Sequence, residues 1–248
     1  APALLFGLFA DMRSGDGPWP SLVLGVVFMV TVTGLIGRAA LPLLSVRHRG
    51  VLLPVMFWNA GNMGLSITRL HFGEDWLPAA AVVFATITAL NAVVGTWLAA
   101  GGGPARGLRE VVAMPLSWAI AAGLTCAVTG LIVPAMLREP VDMLGRMAIP
   151  LMLITLGLSL ATLQVSDLRD ALVLVACRLG GGYLAARLYV ALAEPPELVA
   201  QLLLVEAVLP PAVITVLFAR RFDAGAQTVA STIVLGTLAS FLVLPFVL

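Results

Sequence analysis

The residue types best suited to chemistry in this sequence are side-chain amides inside apolar stretches. Asn59 and Asn62 lie on either side of Gly61 in an apolar run over residues 51–70, and roughly 20 such residues cross a bilayer. Each glycine costs on the order of 1 kcal/mol of helix propensity relative to alanine. A bilayer tolerates such a break only where protein or a water-filled cavity satisfies the freed backbone groups. The stretch therefore predicts two half-helices that meet near mid-membrane, with a polar site at the break.

A second break is predicted where proline interrupts the apolar run over residues 197–220. Pro210 and Pro211 lack a backbone donor and clash with the preceding turn, and Ala212 follows them. At each break one half-helix presents free N–H groups and a positive dipole end, and the other presents free carbonyls. Two crossing breaks thus make a site that suits both anions and cations. The predicted substrate-binding residues at the breaks are Asn59, Gly61, Asn62, Pro210, Pro211 and Ala212. The alternative is that the amides only cap the broken backbone.

Three more polar side chains are predicted to lie at membrane depth. Glu206, one turn before Pro210, is the only carboxylate well inside a predicted span, which favours a proton or sodium coupling site. Its alternatives are a structural partnership with Arg178 or a place in a water-filled cavity. Arg178 either neutralises an anionic substrate or is structural. Asn91 either lines the binding cavity or bonds between helices.

Composition defines the class of protein. The chain is 60% hydrophobic and 11% charged, whereas a soluble domain is about 25% charged. The sequence is therefore predicted to fold as an all-α polytopic membrane protein. No basic run suggests a nucleic-acid partner, and no cofactor is expected beyond a coupling ion. An intramembrane enzyme is disfavoured because the aspartates and histidines fall in or near loops and no nucleophile or metal motif appears.

The apolar runs predict eight spans and a fragment, residues 1–12, that forms the second half of another. The spans cover residues 20–41, 50–71, 76–100, 111–136, 145–164, 168–193, 197–220 and 225–248. The order of features repeats at a shift of about 150 residues, which brings the two breaks together. We therefore expect an inverted repeat of five plus five helices, with the first helix and the start of the second missing from this chain. The halves are residues 1–100 and 101–248.

Arginine distribution predicts the orientation, because cytoplasmic loops carry an excess of basic residues. All fourteen basic residues are arginine, which indicates a bacterial source and a cytoplasmic (inner) membrane location. Eight lie in the loops predicted to be cytoplasmic: Arg38, Arg47, Arg49, Arg106, Arg109, Arg169, Arg220 and Arg221. Four lie in the opposite loops: Arg13, Arg69, Arg138 and Arg146. The C-terminus is then predicted to face outward.

Four motifs, in order, resemble those of the auxin efflux carrier family of membrane transporters. They are residues 2–6 (PALLF), 59–65 (NAGNMGL), 150–160 (PLMLITLGLSL) and 209–213 (LPPAV). The resemblance implies ten helices in two inverted repeats, a fold related to bile acid sodium symporters, and two broken helices that cross in a moving transport domain. It also implies a scaffold that forms a homodimer. The transport domain would comprise about residues 20–100 and 168–248, and the scaffold about 1–12 and 111–164.

Together these features predict a secondary transporter that moves a small organic anion, a carboxylate by family resemblance, across the bilayer by alternating access. A cation-coupled symporter of the bile acid type and a channel are the alternatives that stay open.

Overall fold

The computed structural model describes residues 1–12, 17–46, 48–100 and 104–248; Arg13 and Arg47, used in the orientation argument, lie outside them. The fold is 83% helical and has no strands in its described part. Five helices there are long and apolar enough to cross a membrane, or six if a bent pair counts as one span. The chain is therefore an all-α polytopic membrane protein.

Thirteen α-helices are present in the described ranges. They are α1 (Pro2–Ala10), α2 (Trp19–Ala40), α3 (Leu53–Met56), α4 (Leu65–His71), α5 (Leu77–Leu90), α6 (Thr96–Ala100), α7 (Pro104–Ala113), α8 (Pro115–Thr129), α9 (Ala135–Thr162), α10 (Leu168–Ala193), α11 (Glu197–Ala207), α12 (Ile214–Arg221) and α13 (Ala226–Val243). Two π-helical segments extend them: Ala60–Gly64 precedes α4, and Asn91–Gly95 joins α5 to α6. The long helices α2, α10 and α13 lie close to the predicted spans 20–41, 168–193 and 225–248.

The structure differs from the predicted spans 111–136 and 145–164. Two helices, α7 and α8, meet there at a bend of 72°. Helix α8 ends at Thr129 because Gly130 adopts the left-handed conformation (φ 67°), which glycine accepts without a steric penalty. Helix α9 begins ten residues earlier than predicted. Its charged first turns are stable as helix because Arg138 pairs with Asp142 one turn away, at 2.9 Å, and with Asp11.

The helices pack in two groups. The peripheral group consists of α1, α8 and α9, with α1 packed against both of the others. The crossing group consists of α2–α7 and α10–α13, in which α10 packs against α2, α11 and α13, and α7 packs against the Asn91–Gly95 segment. The groups meet where α1 contacts α5 and α9 contacts the Ala60–Gly64 segment.

Candidate functional site

Two interruptions in the helical backbone meet in the crossing group. The chain leaves helix at residues 57–59, after α3, and again at residues 208–213, between α11 and α12. Trp58 and Pro211 form an isolated antiparallel bridge. The Asn59 N–H donates to the Pro210 carbonyl at 2.8 Å, and the Ala212 N–H donates to the Phe57 carbonyl at 2.9 Å. Each interruption therefore satisfies backbone groups that the other has freed.

Asn59 caps the first interruption. Its Oδ1 accepts from the backbone N–H of Asn62 at 3.2 Å, and its carbonyl accepts from Met63 and Gly64. The capping role considered for the amides is therefore present at Asn59. The side chain of Asn62 has no hydrogen bond within the described ranges and is half-buried. The whole side-chain amide of Asn62 is thus available to a ligand, whereas the Oδ1 of Asn59 is already used.

Helix α13 supports the second interruption. The Ser240 hydroxyl donates to the Val208 carbonyl at 2.6 Å. Gly236 lies against Pro211, since a Cβ on Gly236 would be 2.6 Å from the proline Cδ. A larger residue at 236 would push the Trp58–Pro211 bridge apart.

Arg178 binds the carbonyl ends of the two half-helices that lead into the crossing. Its side chain is fully buried, and its guanidinium donates to the carbonyl of Val55 at 3.1 Å and to that of Ala207 at 2.7 Å. These carbonyls lie in the last turns of α3 and α11, which carry the negative ends of the helix dipoles. Gly182 makes room for the contact, because a Cβ there would be 2.6 Å from the Ala207 oxygen.

Trp58 lies between Arg178 and Glu206. Its indole N–H donates to Glu206 Oε2 at 2.5 Å, and the Arg178 guanidinium lies 5.1 Å from a Trp58 ring centroid. No ion pair joins the arginine to the glutamate among the described residues. The other oxygen, Glu206 Oε1, is buried without a partner in that part of the chain and faces Gly64, where a Cβ would be 2.5 Å away.

A cavity of about 450 Å³ lies against the crossing. Of the predicted site residues it is lined by Asn59, Gly61, Asn62, Asn91 and Ala212. Pro210, Pro211, Arg178 and Glu206 are absent from its lining. The backbone at the start of both second half-helices, residues 59–62 and 212–214, borders the cavity, so its wall carries the positive ends of two helix dipoles.

The rest of the cavity wall is mainly apolar. Phe84, Ile87 and Phe218 line it, and no charged side chain of the described residues does. Two buried amide atoms in the lining residues, Nδ2 of Asn59 and Oδ1 of Asn91, have no hydrogen-bond partner in the described structure. A buried polar atom without a partner costs about 1–3 kcal/mol, so a polar ligand or water that reached these atoms would be stabilised.

Sequence reasoning missed Trp58 and Phe84. Trp58 could have been singled out, because it lies inside a predicted span and a buried tryptophan needs a partner for its N–H. The sequence around Phe84 gives no sign of a role in the site, since the contact of Phe84 with Gly61 depends on how α5 packs against the first break.

The fold and this site together define a class: a polytopic helical membrane protein with a small cavity where two interrupted helices meet. A family model described as membrane transport protein, which covers the auxin efflux carriers, matches residues 107–248. The chain belongs to that family and is a membrane transporter; proteins of the family are transporters rather than enzymes. A comparison with curated proteins gives no significant match.

Proposed function

We propose that this protein is a secondary active transporter of a small organic anion, a carboxylate, and that the cavity at the crossing binds it. The observation that carries this proposal is the position of the two half-helix starts, 59–62 and 212–214, in one cavity wall. The positive dipole ends of these half-helices favour an anion there without a charged side chain. The apolar wall around Phe84 and Phe218 fits the hydrocarbon part of such a substrate.

We infer that the two interruptions occupy equivalent positions in an inverted repeat. A shift of 149 residues carries the first residue of α2, Trp19, onto that of α10, Leu168, and the first residue of α5, Leu77, onto that of α13, Ala226. The interrupted segments lie between these helices in both halves. The correspondence supports the five-plus-five inverted repeat.

The two packing groups correspond to a moving body and a support. The crossing group would be the transport domain and the peripheral group the scaffold, through which two copies would form a homodimer. The cavity is lined from both groups, with Pro2 and Pro115 on the peripheral side. Movement of one group along the other would therefore open and close the cavity, as alternating access requires.

Glu206 is proposed to couple transport to a proton or a sodium ion. The supporting observation is its buried Oε1, which has no partner in the described part and lies beside Gly64 of the first half-helix. An ionised carboxylate at this depth is costly unless a cation or donor joins it. Glu206→Gln keeps an acceptor for Trp58 but should abolish pH or sodium dependence of uptake in proteoliposomes. Unchanged ion dependence would remove Glu206 from the coupling mechanism.

A thermal-shift screen of small carboxylates, with and without sodium at two pH values, tests substrate binding. Asn62→Ala should weaken binding of an identified carboxylate by about tenfold, the equivalent of one hydrogen bond worth about 1.4 kcal/mol, and leave unfolding almost unchanged. Gln201→Ala is the matched control, since this amide lies on α11 and bonds to Glu197 outside the cavity. Normal binding by Asn62→Ala would leave Asn62 with no substrate contact.

Transport kinetics separate a channel from this proposal, and the sodium dependence of uptake decides whether the carrier is a symporter of the bile acid type. Uptake by a carrier saturates, and external substrate accelerates efflux of internal substrate. Non-saturating flux without exchange would favour a channel. Uptake that ceases without sodium would make sodium the coupling ion and the carrier a symporter of the bile acid type.

A further inference from the structure

A second cavity lies on the outer face of the crossing group, between α2 and the α5–α6 segment. Its volume is about 370 Å³, within the range of about 300–1,000 Å³ that is usual for small-molecule pockets. Its walls include Val30 and Gly34 of α2, Met56 of α3, and Leu90 and Trp97. We call this cavity the α2 groove.

The α2 groove is apolar along its length and basic at one end. It follows α2 from Val27 to Arg38, about 16 Å at 1.5 Å per residue. Arg38, near the end of α2, and Arg49, just before α3, both line it and are exposed. Neither forms an ion pair among the described residues, and no acidic residue lines the groove.

An apolar groove that ends at two guanidinium groups without ion-pair partners is complementary to an amphiphile with one anionic head group. Guanidinium groups bind phosphate oxygens through paired hydrogen bonds. A basic pocket between membrane helices on the cytoplasmic side suits an anionic lipid head group, and this end of α2 is the one that the arginine distribution predicts to be cytoplasmic. Trp97, on α6, lies at the same end, because α6 packs against the Arg49–Leu52 turn; tryptophan is favoured at the lipid–water interface.

We propose that the α2 groove binds one anionic phospholipid of the surrounding bilayer. Its phosphate lies between Arg38 and Arg49, and one acyl chain runs along α2 to Met56. Met56 ends α3 and precedes the crossing, so the chain would pack against the first half-helix. The proposal does not depend on which substrate the protein carries.

Quenching of Trp97 by brominated lipid measures this binding directly. The full chain is reconstituted in bilayers with a fixed fraction of phosphatidylglycerol or phosphatidylcholine whose chains are brominated. Phosphatidylglycerol should quench more strongly at equal mole fraction, and Trp97→Phe, which isolates the signal of the other tryptophans, should abolish the difference. The double variant Arg38→Gln/Arg49→Gln should weaken relative affinity about 30-fold, since each basic residue near the surface contributes about 1 kcal/mol.

Arg146→Gln is the matched control, because Arg146 is also exposed and makes no ion pair in the described ranges but lies outside the groove. It should retain the full preference for phosphatidylglycerol. Glycerol 3-phosphate, the head without chains, should fail to reverse the quenching. The proposal is overturned by equal quenching from both lipids, by an unchanged double variant, by an equal loss in Arg146→Gln, or by competition from glycerol 3-phosphate. Thermal unfolding of each variant in phosphatidylcholine verifies that it folds.

Discussion

Replacing Arg178 by methionine should destabilise the protein without acting on the substrate directly. The guanidinium joins the end of α3 to the end of α11 through the carbonyls of Val55 and Ala207. Methionine fills much of the same space but donates no hydrogen bond. Both carbonyls then lose a charged donor in a part of the structure where Arg178 itself has no solvent contact.

The magnitude follows from the two bonds. A hydrogen bond to a charged group contributes about 1.5–3 kcal/mol, so the pair contributes about 3–6 kcal/mol to the free energy of unfolding. The contact with Trp58 adds about 1–2 kcal/mol in a desolvated setting, partly replaced by methionine packing. The loss of unfolding free energy for Arg178→Lys should be about half of that for Arg178→Met. An ammonium group cannot donate to both carbonyls as the planar guanidinium does.

Denaturant unfolding in one detergent compares Arg178→Met and Arg178→Lys with Arg187→Met. Arg187 lies on the same helix, is exposed, and makes no ion pair in the described ranges, so its replacement should change stability by less than about 0.5 kcal/mol. Carboxylate binding is then measured on folded protein. A tenfold loss of affinity with unchanged stability would refute the proposed role of Arg178 in joining the ends of α3 and α11. It would favour the substrate-binding role that the sequence suggested for this residue.

Three further substitutions test the contacts around the site. Trp58→Phe removes the N–H that reaches Glu206 and should cost about 1.5–3 kcal/mol; a double-mutant cycle with Glu206→Gln that gives no coupling would contradict this. Gly61→Ala puts a Cβ 2.7 Å from the Phe84 ring and should weaken carboxylate binding, with partial recovery on adding Phe84→Leu; failure to recover would locate the defect elsewhere. Asp170→Ala leaves two backbone N–H groups of the α2–α3 loop without their acceptor, so limited proteolysis there should accelerate, and an unchanged cleavage rate would oppose that anchoring role.

The positions of the interruptions could be predicted because their causes are local. The side chain of Asn59, three residues beyond the end of α3, accepts from the N–H of Asn62. Pro210 and Pro211 lack the backbone N–H groups that would continue α11, and their rings clash with the preceding turn. Such effects need only neighbouring residues, and a single sequence contains them.

The partners across the site could not be predicted in the same way. The Trp58–Glu206 bond joins residues 148 positions apart, and nothing in either neighbourhood specifies the other. The prediction for Arg178 left open a substrate contact, a pairing with Glu206 or a structural role, but it named no backbone partner. The structure gives Arg178 two backbone carbonyls, which are available because two helices end there. The predicted start of α9 was wrong for a related reason. Charged residues such as Arg138 and Asp142 indicate a loop unless Asp11 is known to lie beside them.

The ion pairs bear on how the two groups could move. Asp11, Arg138 and Asp142 pair within the peripheral group, and Arg69–Glu74 within the crossing group. The remaining ion pair of the described residues, Glu110–Arg221, joins α7 to α12 and also lies within the crossing group. The buried side chains of α9 that enter the core are apolar (Ile149, Met152 and Leu156). Apolar packing is non-directional, so the two groups could shift along one another without breaking any of these ion pairs.

Cavities of about 450 Å³ and 480 Å³ are both lined by residues of the two groups. The first lies at the crossing and the second beside Arg69 and Arg138. A shift of one group along the other would therefore change access to both cavities at the cost of apolar contacts and of the exposed hydrogen bond from Trp118 to the Val112 carbonyl, which is the physical basis for the proposed alternating access.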